Sequence, residues 1–209
     1  MSNVPTALLS APASRTIGYM DHSLWLAVAG GIAIAAACGL RAFLPLLLLG
    51  IASRAGVLTL GAPADWLSHD LALWTLGIAA AVEIIGDKVP VVDHALDAAG
   101  LVVRPLAGGL GAYAALAQWP APLPFVFALV AGTGALGVQA LKAKTRVGST
   151  LLTAGAGNPI LSFAEDVGAF GLTALAIVVP AIALLLVIAG AFAMRAIWRR
   201  LRGRRAVAP

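Results

Sequence analysis

An all-α polytopic membrane helical bundle of about six passes, with broken or re-entrant segments, is what this sequence predicts, and three observations carry the prediction. Hydrophobic residues make up 61% of 209 and charged residues only 11%, against roughly 45–50% and about 25% in a soluble domain. The mean hydropathy is +0.97, and the apolar residues fall into runs close to the roughly 20 residues that a span needs. The few charges are concentrated: Glu83, Asp87, Lys88, Asp93, His94, Asp97 and Arg104 share one short stretch between two such runs.

Residues 1–23 carry Pro5, Pro12 and several Ser and Thr. They lack the basic start, apolar core and small-residue cleavage site of a signal peptide, and read as a mobile tail. The membrane domain occupies residues 24–194. Its first run, residues 24–52, is apolar except for Arg41 and is interrupted by Gly39 and Pro45, so it is either one long span or a broken one. A polar connection, residues 53–70, follows; Trp66 in it and Trp74 just beyond suit the head-group level. Residues 71–86 form a second span with Glu83 near its end.

Residues 100–119 form a third span, in which Gly108, Gly109 and Gly111 permit close helix approach or a kink. Pro120 to Pro124 stop it. Residues 125–141 form a fourth, with Gly132, Gly134 and Gly137 as another small-residue face. Lys142, Lys144 and Arg146 then open a Gly- and Ser-containing segment that runs to Asn158 and Pro159. The last apolar run, residues 167–194, is divided by Pro180.

The formal net charge of +5 comes mainly from a basic tail, residues 195–209, with Arg195, Arg199, Arg200, Arg202, Arg204 and Arg205. A basic cluster directly after an apolar span marks the cytoplasmic side and meets anionic lipid head groups, so nucleic acid is not the partner implied. If the cluster around Lys142 is also cytoplasmic, one more crossing must lie between the two. Residues 149–166 are its only candidate, too polar for a lipid-facing helix but acceptable as a broken or re-entrant segment. The termini are then both cytoplasmic. Residues 27–42 and 129–144 also echo one another, from a small-residue start to a basic end, which suggests two halves inverted in the membrane.

Cys38 stands alone, which excludes an intramolecular disulfide and any multi-cysteine metal site. It reads as a packing residue. Glu83 and Asp87, like Asp93 and Asp97, are four apart and share a helix face, with Pro90 starting a new helix between the pairs. Such carboxylates suit Mg²⁺, making Glu83, Asp87 and Asp93 the metal-ligand candidates. Alternatively they share a proton, or they neutralise Lys88, Arg104 and Arg41. A second cluster holds Asn158, Pro159, Ser162, Glu165 and Asp166, behind a backbone break at Gly155 and Gly157 that frees main-chain groups for an ion or phosphate. The bland reading is a loop whose acids favour the start of the last helix.

Residues 40–46 (LRAFLPL), the run 83–90 with Asp93, Arg104 to Gly108, and Asn158-Pro159 with Ser162 and Glu165 to Val167 resemble an uncharacterised bacterial membrane family, domain of unknown function number four-one-two-six. The resemblance covers residues 23–194 and implies a bacterial inner-membrane location without an activity. The spacing of Asp93 and Asp97 also fits the end of the CDP-alcohol phosphotransferase motif, but the upstream acidic and Ala-Arg elements are absent.

The site expected is therefore Arg41, Glu83, Asp87, Lys88, Asp93, Asp97, Arg104, Asn158, Glu165 and Asp166. The function expected is a transporter or channel-like carrier for a small ion or anionic solute, with Glu83 and Asp87 taking a cation or proton and the arginines as counter-charges. The alternatives are a Mg²⁺-dependent enzyme acting on a lipid phosphate and a non-catalytic membrane scaffold. A homo-oligomer is compatible with any of these.

Overall fold

In the computed structural model, which describes residues 13–205, α1 (Ala13–Leu40) is followed by α2 (Phe43–Arg54) and a 3-10 helix (Ala62–Ser68). Then come α3 (Asp70–Gly86), α4 (Pro90–Leu116), α5 (Leu123–Thr153), α6 (Asn158–Val178) and α7 (Pro180–Arg205), with no strand among the described residues. Expectations for residues 1–12 and 206–209 fall outside the described part.

Proline sets several boundaries. Pro90, Pro124 and Pro159 stand in the first turns of α4, α5 and α6, where a missing N–H costs nothing. Pro180 divides the last apolar run as expected. The first run is also divided, at Arg41 and Ala42.

Four helices are long and apolar enough to cross a membrane, or five if the 3-10 helix and α3, bent by 63°, are counted as one span. The expectation of about six is approximate because the breaks leave α2 and the apolar part of α7 short. The clearest difference lies at residues 149–166, which are not a crossing of their own. Helix α5 continues through Lys142, Lys144 and Arg146 to Thr153, and α6 begins at Asn158. The break is confined to four residues, where Ala154 (φ 49°) and Gly155 (φ 87°) turn the chain through left-handed conformations.

Helices α1, α4 and α5 form the centre, packed through small residues. A Cβ on Gly132 would stand 2.7 Å from the Pro105 carbonyl oxygen, and one on Gly39 2.7 Å from that of Ala135, so these backbones touch. Gly134 and Gly137 face open space instead, leaving Gly132 as the contact residue of the face expected from the sequence. Gly31 faces Phe127 and Gly39 faces Val138, so α1 and α5 run side by side in the same direction. The echoing segments 27–42 and 129–144 are thus parallel neighbours rather than inverted counterparts.

The radial distribution of side chains is that of a membrane protein. Leu152 is 87% exposed, Leu151 81% and Trp74 73%, whereas Arg41 is fully buried. Large apolar side chains facing outward around charged ones inside satisfy lipid, not water.

Candidate functional site

Helices α3, α4, α5 and α6 each contribute polar side chains to one network. Glu83 lies in the last turn of α3 and Asp87 caps it; Asp97 and Arg104 lie on α4; Gln139, Lys142 and Arg146 lie on α5 and Ser162, Glu165 and Asp166 on α6. Spacings of three, four and seven residues keep each set on one side of its helix. The two clusters seen in the sequence are one network.

Its axis is the α1–α2 break. A break in a buried helix frees backbone groups that must find partners. The Ala42 N–H donates to Glu83 Oε1 (3.0 Å) and the Phe43 N–H to Glu83 Oε2 (3.3 Å). A carboxylate there also favours the positive end of the α2 dipole. On the other side, Lys142 Nζ donates to the Leu40 carbonyl at 3.4 Å.

Arg41 projects from the break into the acids. Its Nη1 pairs with Asp87 Oδ2, its Nη2 donates to Ser162 Oγ (2.9 Å) and the Ser162 carbonyl (3.2 Å), and its Nε stands 2.6 Å from Asp166 Oδ1. This meets the expectation that Arg41 pairs with a carboxylate of residues 83–97. Asp87 Oδ2 also accepts from Arg146 Nη2 (2.8 Å) and Lys142 Nζ (3.4 Å). Glu165 Oε2 lies 2.8 Å from Arg146 Nη2 and 3.0 Å from Lys142 Nζ. Asp87 sits in the turn between α3 and α4. Arg41, Lys142 and Arg146 all pair with its carboxylate.

A second lobe centres on Arg104, 1% exposed, whose Nη2 meets Glu83 Oε1 at 3.4 Å. Asp97 joins the lobes loosely. Its oxygens stand 3.6 Å from Arg104, 3.7 Å from Arg146 and 3.9 Å from Lys142, and Oδ1 has no hydrogen-bond partner. The same is true of Nε and Nη1 of Arg104. Lys88, more exposed, lies at the margin, 3.5 Å from Asp166 and donating to the Ile84 carbonyl.

A cavity of about 550 Å³ leads to this network, lined by Asp87, Lys88, Asp97, Arg146, Thr150 and Asn158. Asn158 is outside the ion pairs; its amide donates to Thr150 Oγ1 at 3.0 Å. The side chains of Asp93 and His94 lie outside the described ones. Among the described residues, no group of three or more His, Cys, Asp or Glu is arranged to hold a metal. Glu83 and Asp87, two of the three expected ligands, are instead engaged by cations and backbone N–H groups, which disfavours Mg²⁺ between them.

Gln139, Lys142 and Arg146 are absent from the expected site. The charges of Lys142 and Arg146 read as a topology signal because the helix was expected to end at residue 141, and Gln139 read as part of that span. The i, i+3, i+7 spacing was the available clue. Lys142 and Arg146 are neutralised inside the bundle, so they are weak markers of which side faces the cytoplasm.

No curated protein and no solved structure matches this chain. A family match covers residues 28–200, which contain every described side chain of the network, and the chain belongs to that family, described as Domain of unknown function (DUF4126).

Proposed function

We propose that the protein is a transporter or channel-like carrier for a small ion or anionic solute. One observation carries this reading: the cavity of about 550 Å³ ends on Asp87, Asp97 and Arg146, members of a buried network of opposite charges. Buried ionisable groups at broken helices are what a solute pathway in a bilayer requires. Outward-facing Val147, Leu151 and Leu152 extend the lipid-compatible surface beyond Arg146 on α5, which supports a network lying within the apolar layer. An enzyme at the head-group level is the weaker reading, since the carboxylates that would hold Mg²⁺ face guanidinium and ammonium groups. The cellular setting belongs to the same proposal: a bacterial inner membrane, with the arginines of the tail against anionic head groups.

Purified protein in sealed vesicles tests it. Wild type should pass small ions across the membrane at rates well above protein-free vesicles. Asp87→Asn should abolish that flux while keeping helix content and monodispersity. Equal flux from wild type and empty vesicles, for inorganic cations, halides and small carboxylates alike, refutes the reading.

A further inference from the structure

The geometry points to Asp97 as a tethered anion: its carboxylate occupies the place where a small carboxylate or oxyanion from the cavity would bind to Arg104, Lys142 and Arg146. This deepens the transport reading and rests on it for its physiological meaning.

The described acids of the network are Glu83, Asp87, Asp97, Glu165 and Asp166, and the bases are Arg41, Lys88, Arg104, Lys142 and Arg146. Five negative charges thus meet five positive ones. Four of the acids have a cation within hydrogen-bonding reach: Glu83 at 3.4 Å, Asp166 at 2.6 Å, Glu165 at 2.8 Å and Asp87 at 2.8 Å. Among the described residues Asp97 alone has all its cations beyond that reach, at 3.6 to 3.9 Å.

Asp97 also lines the cavity and retains a quarter of its side-chain exposure, whereas Arg104, Lys142 and Arg146 are at most 5% exposed. Two donor nitrogens of the buried Arg104 stay unpartnered beside it. The three cations are therefore arranged for a carboxylate that their own tethered one satisfies incompletely. When Asp97 swings towards the cavity, the described residues of the network carry one excess positive charge. The vacated position then favours a free anion over a cation.

Formate, the smallest carboxylate, is the probe, with gluconate at equal ionic strength as a bulky control. The measurement is the thermal midpoint of the purified full chain in detergent. Asp97→Ala should lower the midpoint, and formate should restore most of the loss while gluconate does not. Wild type, with its position filled, should shift much less. Adding Arg146→Gln to Asp97→Ala should remove the formate response. If Asp97→Ala does not fold, Asp97→Asn keeps the side-chain volume without the charge, and formate should stabilise it more than wild type. Equal responses to formate and gluconate, or a wild-type response as large as that of the variant, overturn the proposal. A formate-selective response in Asp97→Ala without flux in wild-type vesicles would keep the anion position and reject transport. Wild-type flux without that response would do the reverse.

Discussion

Glu83 and Lys142 hold the two faces of one helix break. Glu83 accepts the N–H groups of Ala42 and Phe43, while Lys142 donates to the carbonyl of Leu40. Negative charge meets the exposed donors and positive charge the exposed acceptor, so a discontinuity that would be costly in lipid is stabilised by the ion network itself.

Glu83 is expected to contribute to folding through this contact. Glu83→Ala leaves Arg104 and two N–H groups without their acceptor, at a cost of about 3–5 kcal/mol for the broken buried pair. Glu83→Gln keeps one acceptor oxygen and should cost clearly less. Thermal melts of both variants in the same detergent give the comparison; equal losses would contradict the capping role.

Arg41 and Asp87 should be strongly coupled. Arg41→Ala and Asp87→Ala each strand a buried charge, whereas the double variant strands fewer, so their effects should be non-additive by about 0.5–3 kcal/mol. Asp166 also faces Arg41, so some loss remains in the double variant. Additive losses across the cycle would show that the pair is not energetically linked.

The glycine contacts separate two neighbouring positions on α5. Gly132→Ala drives a Cβ into the Pro105 carbonyl and should destabilise by about 1–3 kcal/mol, as overpacking does. Gly134→Ala meets nothing within 4 Å and should be tolerated. Comparable melting points for the two variants would refute the close approach of α4 and α5.

Asp87 predicts an acid limb in the stability curve. Its carboxylate pairs with Arg41, Lys142 and Arg146, so protonating it on acidification removes those pairs from the folded state. Wild type should lose stability on acidification below about pH 4. Asp87→Asn, less stable at neutral pH, should lose less over the same interval; parallel acid limbs would argue against the ion pairing.

The fold class, the divisions at Pro180 and Gly155, and most of the acidic side of the site were legible in the sequence. Prolines, glycines and clustered charges act locally, and Arg41 in an apolar run demanded a partner. Lys142 and Arg146 were not legible as site residues. A basic flank after an apolar span has the same appearance whether it meets water or buried carboxylates, and only Glu165 and Asp87, brought in from other helices, distinguish the two. Asn158 was legible from its position beside a break: it lines the cavity, and its amide nitrogen ties α6 to Thr150.

The placement of Arg41 also constrains how the protein is made. Its partner Ser162 lies 121 residues further along the chain and Asp87 lies 46 further. Arg41 therefore leaves the ribosome well before α6, carrying a charge it cannot shed. Until α3 and α6 follow, that guanidinium must remain hydrated or sheltered by the insertion machinery. The α1–α2 break therefore acquires its full set of partners only when α6 has been made, which ties the beginning of the chain to its C-terminal half.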